Sequence, residues 1–150
     1  VPERAMTRID FHSNVVDRLT YTCRLVRKAR AAQCRIVLLS SDAAQQAALD
    51  EALWTFSATD FLPHVPLTYP HQHPHAADTP VILIADDQSE LPHHHVLINL
   101  SGRTPAHFAR FERMFEIISD EEEDKIAGRD RYRYYKDRGY PLTHFVAQAV

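Results

Sequence analysis

RIVLLSS, residues 35–41, sets four aliphatic side chains in a row, Ile36 to Leu39, between an arginine and two serines. A strand with one wetted face alternates apolar and polar residues. An unbroken run this short needs cover on both faces, which is how strands sit in a parallel sheet under helices. Two further runs share the character, VILIADD (81–87) and HVLINL (95–100). Upstream, Thr7 to about His12 alternates as a strand. From Val15 to about Ala32 the apolar residues Val15, Val16, Leu19, Cys23, Val26 and Ala29 recur at helical spacing, with Ser13 or Asn14 as the expected N-cap. Downstream, Asp42 caps AAQQAALDEALW, a run of good helix formers ending near Trp54.

Strand, helix, strand, helix with doubly covered strands predicts an α/β three-layer sandwich with a mostly parallel central sheet. The expected domain covers residues 6–150, with the first five residues set aside as a cloning scar or an upstream extension. Residues 55–80 hold five of the nine prolines and read as one long loop without regular structure. Thr104, with Pro105 in the first turn, is expected to open a helix turning Phe108, Phe111 and Met114 inward. MFEIIS (114–119) reads as a short strand. Ser119 and Glu122 form a capping-box pattern for a final helix that stops at Gly139, ahead of Pro141.

The bulk numbers describe an ordinary globular chain: 150 residues, 45% hydrophobic, 25% charged, formal net charge −3. No apolar run spans a bilayer and no secretory h-region opens the chain, so a cytoplasmic protein is expected. Two cysteines, Cys23 and Cys34, build no disulfide framework.

Chemistry is scarce. Glycines stand only at 102, 128 and 139, so neither phosphate-cradling loop can be written from them. The fold is therefore expected to be Rossmann-like without its phosphate-binding loop, and a nucleotide-dependent enzyme is the remote alternative. His64, His71, His73, His75 and the adjacent His93, His94 and His95 lack the helical spacing of a zincin, and no metal site or cofactor is expected. Ser40 and Ser41 follow a strand without a nucleophile elbow and read as turn residues, and Cys23 reads as core.

Charge, by contrast, is arranged. RDRYRYYKDRGY (129–140) gathers five cations and four of six tyrosines, just after the acidic EIISDEEED (116–124). On a helix, Lys125, Arg129, Tyr132, Arg133 and Lys136 fall on one face within about 100° of arc. Arg131, Tyr134 and Arg138 turn away toward packing and solvent. With Ile118 just upstream, an exposed apolar spot ringed by cations suits an acidic peptide carrying an aromatic. Direct binding of single-stranded nucleic acid by the same helix is the alternative. Gly128, inside this helix, is expected to loosen it by roughly 1 kcal/mol relative to alanine.

The order of motifs resembles the chi subunit of the bacterial DNA polymerase III holoenzyme. The matching residues are DEALW (50–54) followed by FLPH (61–64), VLINL (96–100), and ARFERMFEII (109–118) leading into GRDRYRYYKDRGY (128–140). The resemblance implies a non-catalytic accessory subunit with two faces. One, matched by Trp54 and Phe61, would hold the psi subunit of the clamp-loader complex or an accessory helicase. The other, matched by Ile118, Lys125, Arg129, Tyr132 and Arg133, would take the acidic, Phe-ending C-terminal tail of single-stranded DNA-binding protein. Contact with nucleic acid would then be mostly indirect.

Overall fold

The computed structural model describes residues 6–55, 64–66, 80–85, 91 and 93–147. The elements are β1 (Arg8–Val15), α1 (Arg18–Ala31), β2 (Ile36–Leu39), α2 (Ala43–Thr55), β3 (His64–Pro66), β4 (Val81–Ile84), β5 (Val96–Asn99), a 3-10 turn (Phe108–Arg110), β6 (Arg113–Ser119), α3 (Glu122–Asp137) and β7 (Leu142–Val146). The strands form one seven-stranded sheet in the order β3-β4-β2-β5-β6-β1-β7, and every described pairing is parallel.

The aliphatic runs lie where both faces are covered. Along β2, β4 and β5 alternate residues serve opposite layers. Val37, Leu39, Ile82, Ile84 and Leu97 pack with Phe108, Phe111 and Tyr135 beneath the 3-10 turn and α3. Ile36, Leu38, Val81, Leu83, Val96 and Ile98 pack with Cys23 and Val26 of α1 and Leu49 and Leu53 of α2. Each fully buried aliphatic side chain contributes about 1.5–3 kcal/mol, so these short strands carry much of the core. Burial also pushes the Cys23 thiol up to about 11, which keeps it an inert core group. No helix among the described residues is long and apolar enough to cross a membrane.

Several elements differ from their sequence-based expectation. β1 runs on to Val15 through a register shift between His12 and Val15, with Asn14 at φ 59°. The irregularity turns Val15 into the α1-side core and leaves Val16 66% exposed, so neither belongs to the helix. The N-cap of α1 is accordingly Asp17, not Ser13 or Asn14; its carboxylate accepts from the Thr20 amide and hydroxyl. Asp42 does accept from the Gln45 amide at the start of α2. No α-helix follows Pro105. Phe108 and Phe111 share a face through a single 3-10 turn, after which the Glu112 and Arg113 amides bond to His95 O and open β6, placing Met114 in that strand.

The capping-box pairing of Ser119 with Glu122 is replaced. The Asp124 carboxylate accepts from the Ser119 amide at 2.6 Å, Ser119 Oγ accepts from the Glu121 amide, and Glu121 is the N-cap. Inside the long loop, His64–Pro66 pairs with β4 as β3. After Gly139, at φ 82°, the chain continues into β7, an edge strand on β1 that the sequence reading lacked. Four of its five residues are exposed, so it has no apolar run to betray it.

One side chain couples the fold to pH. His12 of β1 is 8% exposed, stacked on Phe145 and set edge-on to Phe115 and Tyr21, with Nδ1 hydrogen-bonded to the Tyr21 hydroxyl. Burial, helped by the fields of Arg113, Lys28 and His144 and opposed by Asp10, lowers its pKa from 6.5 to about 4. The unfolded chain therefore takes up the proton first, and the stability held with neutral His12 is complete above pH 6.5 and lost as pH falls toward 4. Thermal unfolding followed across that window should show a drop in Tm that is shallower in His12→Gln than in the wild type.

Candidate functional site

On the α3 side of the sheet, a cleft of about 450 Å³ opens between α3 and the ends of β1, β6 and β7. Its position follows from how α3 is held. Glu116 of β6 is fully buried, with its carboxylate aimed at the helix. It accepts from Arg131 Nε at 3.1 Å, from the Tyr135 hydroxyl at 2.7 Å and from Asn99 Nδ2 at 3.0 Å to each oxygen. Arg131 Nη1 reaches on to Gly102 O at 2.9 Å. Burial raises the Glu116 pKa while Arg131 and the other donors oppose the rise, and burial beside this carboxylate raises the Tyr135 hydroxyl.

Gly128 extends the same buried stripe one turn back. A Cβ there would stand 2.7 Å from Ile118 Cδ1 and 3.2 and 3.3 Å from Cγ1 and Cγ2. The glycine that was expected to loosen the helix is thus what lets α3 settle onto β6.

With Gly128, Arg131 and Tyr135 facing down, Lys125, Tyr132, Arg129 and Arg133 occupy the adjoining arc, about 100° to 200° round from Arg131. That arc overlooks the cleft. Its rim carries Lys125, Arg129 and Arg133, and its base is Ile118, Phe11 and Tyr132, with Phe11 edge-on to Tyr132 at 5.1 Å between centroids. Ser13 and Asn14 from the irregular end of β1 and His144 from β7 complete the wall, where Ser13 Oγ and His144 Nε2 lie 2.7 Å apart. Among the described lining residues there are three fixed cations and no carboxylate.

All five residues singled out from the sequence on the α3 side line this one cleft. Ile118 differs from expectation in being only 3% exposed, because α3 sits against it at Gly128 and it joins the core cluster that holds Phe11. The half-buried Tyr132 therefore supplies the wider apolar surface. Lys136 is not part of the lining. Phe11, Ser13 and Asn14 went unnoticed because they come from a strand more than a hundred residues away in sequence, and His144 because it lies on β7, which the sequence reading lacked. Glu116 was read within an acidic run, although its place between Met114 and Ile118 on one strand face marked it as inward.

The structure does not bring the other candidates together here. Trp54 ends α2 with its side chain outside the described residues, and Phe61, His71, His73 and His75 lie outside them altogether. The three histidines before β5 serve packing and linkage. His93 is buried, His94 is edge-on to Phe111, and His95 Nδ1 accepts from the Arg35 amide while its Nε2 lies 3.5 Å from Glu112. Among the described residues no three His, Cys, Asp or Glu side chains converge as a metal site would need. Ser40 is buried at the end of β2.

The family model described as DNA polymerase III chi subunit, HolC, matches residues 6–143. The chain belongs to the DNA polymerase III chi subunit family. It is also 34% identical over 143 residues to the DNA polymerase III subunit chi of Pseudomonas aeruginosa, covering 91% of this chain and 94% of that protein. Membership in the chi family makes it an accessory component of DNA replication.

Two expectations follow from the packing of α3. Replacing Arg131 by leucine leaves Glu116 buried without its counter-ion, a change that costs about 3–5 kcal/mol, whereas exposed Arg129→Leu should stay within about 0.5 kcal/mol of the wild type. Urea denaturation midpoints would show the contrast. Gly128→Ala gains roughly 1 kcal/mol of helix propensity against an overpacking cost of about 1–3, for a net loss near 1 kcal/mol. Adding Ile118→Val, which deletes Cδ1, should recover that loss, and a double-mutant cycle reads the coupling directly.

Proposed function

We propose that the cleft takes the acidic, Phe-ending C-terminal tail of single-stranded DNA-binding protein. In this reading the chain is a non-catalytic link between that protein and the clamp-loader complex. The psi subunit, or in its place an accessory helicase, would dock through Trp54 and Phe61. The observation that carries the reading is the combination within one concavity, among the described residues, of three cations, no carboxylate and an aromatic base.

Each part answers a part of such a tail. Guanidinium groups bind carboxylates by paired, charge-assisted hydrogen bonds, so Arg129 and Arg133 suit the terminal carboxylate and Lys125 a side-chain carboxylate. The ring would lie against Tyr132, with Ile118 and Phe11 beneath it, and the nearby guanidinium groups would face its π-cloud. The rim cations are solvent-exposed or half-exposed, so binding should be modest and salt-sensitive. Several tails on one oligomer would strengthen it through effective concentration.

The experiment is a fluorescence titration of a labelled acidic tail peptide ending in phenylalanine. Wild type should bind, and Arg129→Ala should bind about ten- to a hundredfold more weakly, as expected for a lost charged hydrogen bond. Removing the terminal phenylalanine from the peptide should weaken it further. Equal binding by wild type and Arg129→Ala, or none by wild type, overturns the assignment.

A further inference from the structure

The most one-sided positive charge in the chain sits on α1, not α3. Residues 17–35 hold Arg18, Arg24, Arg27, Lys28, Arg30 and Arg35 against the single acid Asp17. On α3 and its C-cap, residues 122–138, six cations are nearly balanced by Glu122, Glu123, Asp124, Asp130 and Asp137. Much of the α3 cation set is also committed, with Arg131 on buried Glu116 and Arg138 stacked over Tyr134 at 3.5 Å.

At the ends of the α1 set two arginines are tied locally. Arg18 lies 3.7 Å from Asp124, and Arg30 Nη1 donates to Cys34 O. The middle is different: Arg24 and Lys28 are exposed, stand one turn apart, and form no ion pair among the described residues. Arg27 is exposed beside them. Cations near a helix C-terminus offset its dipole, which accounts for Lys28 and Arg30 but not for Arg24 in the middle. A merely solvated helix face tends to carry acids three or four residues from its bases, and α1 contains none. Two such cations, Arg24 and Lys28, on an acid-free helix of a net-acidic chain make a surface for a polyanion.

The kind of polyanion follows from the chi family, which acts in DNA replication. We propose that the solvent-facing stripe of α1, centred on Arg24 and Lys28, holds the phosphate backbone of single-stranded DNA on the side of the sheet opposite the cleft. α1 lies flat on the sheet beside α2, so it cannot enter a duplex groove as a recognition helix does. A flexible strand can follow the low ridge it presents, whose cations are spaced about 6 Å along the axis. Tyr21 is half-buried with its hydroxyl bonded to His12, which leaves α1 without an exposed ring for base stacking. Binding is therefore phosphate-driven, sequence-independent and weak.

The test is fluorescence anisotropy of labelled oligo-dT with the full chain across a salt series beginning near 50 mM, where counterion release is strong. Wild type should bind with an affinity that falls as salt rises. Arg24→Gln with Lys28→Gln should weaken binding at least tenfold and reduce the log–log salt slope by about 1.4, roughly 0.7 for each lost phosphate contact. Arg129→Ala should bind DNA as wild type does, which separates this surface from the cleft. The proposal is overturned by absence of binding near 50 mM salt, by an unchanged double variant, or by tighter binding to duplex or to anionic vesicles than to the single strand.

Discussion

A carboxylate sealed under a helix governs this structure. Leaving water costs Glu116 several kcal/mol, and the loss is offset only where donors converge on it in good geometry. Arg131, Tyr135 and Asn99 do so from two elements, and in doing so they fix both the rotation and the height of α3. An apolar contact would tolerate a helix that slid or rolled by part of a turn. The ion pair does not, and Gly128 against Ile118 removes the remaining slack. What the helix presents to solvent is thus determined from below.

That control explains how one amphipathic element is anchored along one stripe and left exposed along the next. The buried stripe at 128, 131 and 135 is structural, and the neighbouring arc at 125, 129, 132 and 133 is free to meet a ligand. On the opposite layer the Tyr21 hydroxyl of α1 meets His12 of the sheet, but Cys23 and Val26 hold the helix by apolar burial, and most of its charge is left at the surface. The sheet therefore insulates two cationic surfaces of different character, one concave and part aromatic, the other a shallow ridge.

How much of this was legible in the sequence depends on the range of the interaction. The doubly covered strands announce themselves because, Asn99 apart, every one of their side chains is apolar, so Ile36–Leu39 alone implies layers above and below. The cationic face of α3 is likewise local, a matter of residues three and four apart. β7 was missed because an edge strand with one neighbour needs no apolar run, and LTHFV offers none. The 3-10 turn was overread as a helix because Phe108, Phe111 and Met114 have helical spacing, although only the first two share a turn. The remainder of the cleft wall, Phe11, Ser13, Asn14 and His144, is a product of topology, which no local pattern encodes.

The placement of β1 has a bearing on how the chain reaches this state. Its register partners are in β6 and β7, with Arg8 opposite Arg113 and Ile9 opposite Leu142, and the Asp10–Arg113 ion pair joins residues 103 positions apart. The first strand of this sheet in chain order pairs with its last two. During synthesis its edges stay open until β6 and β7 emerge, so topology delays folding and exposes a strand to wrong neighbours in the interval. Asp10 and His12 in the middle of β1 make it a poor template for such pairing, since a carboxylate and an imidazole are tolerated there only once Arg113, Thr143 and Tyr21 have arrived to receive them.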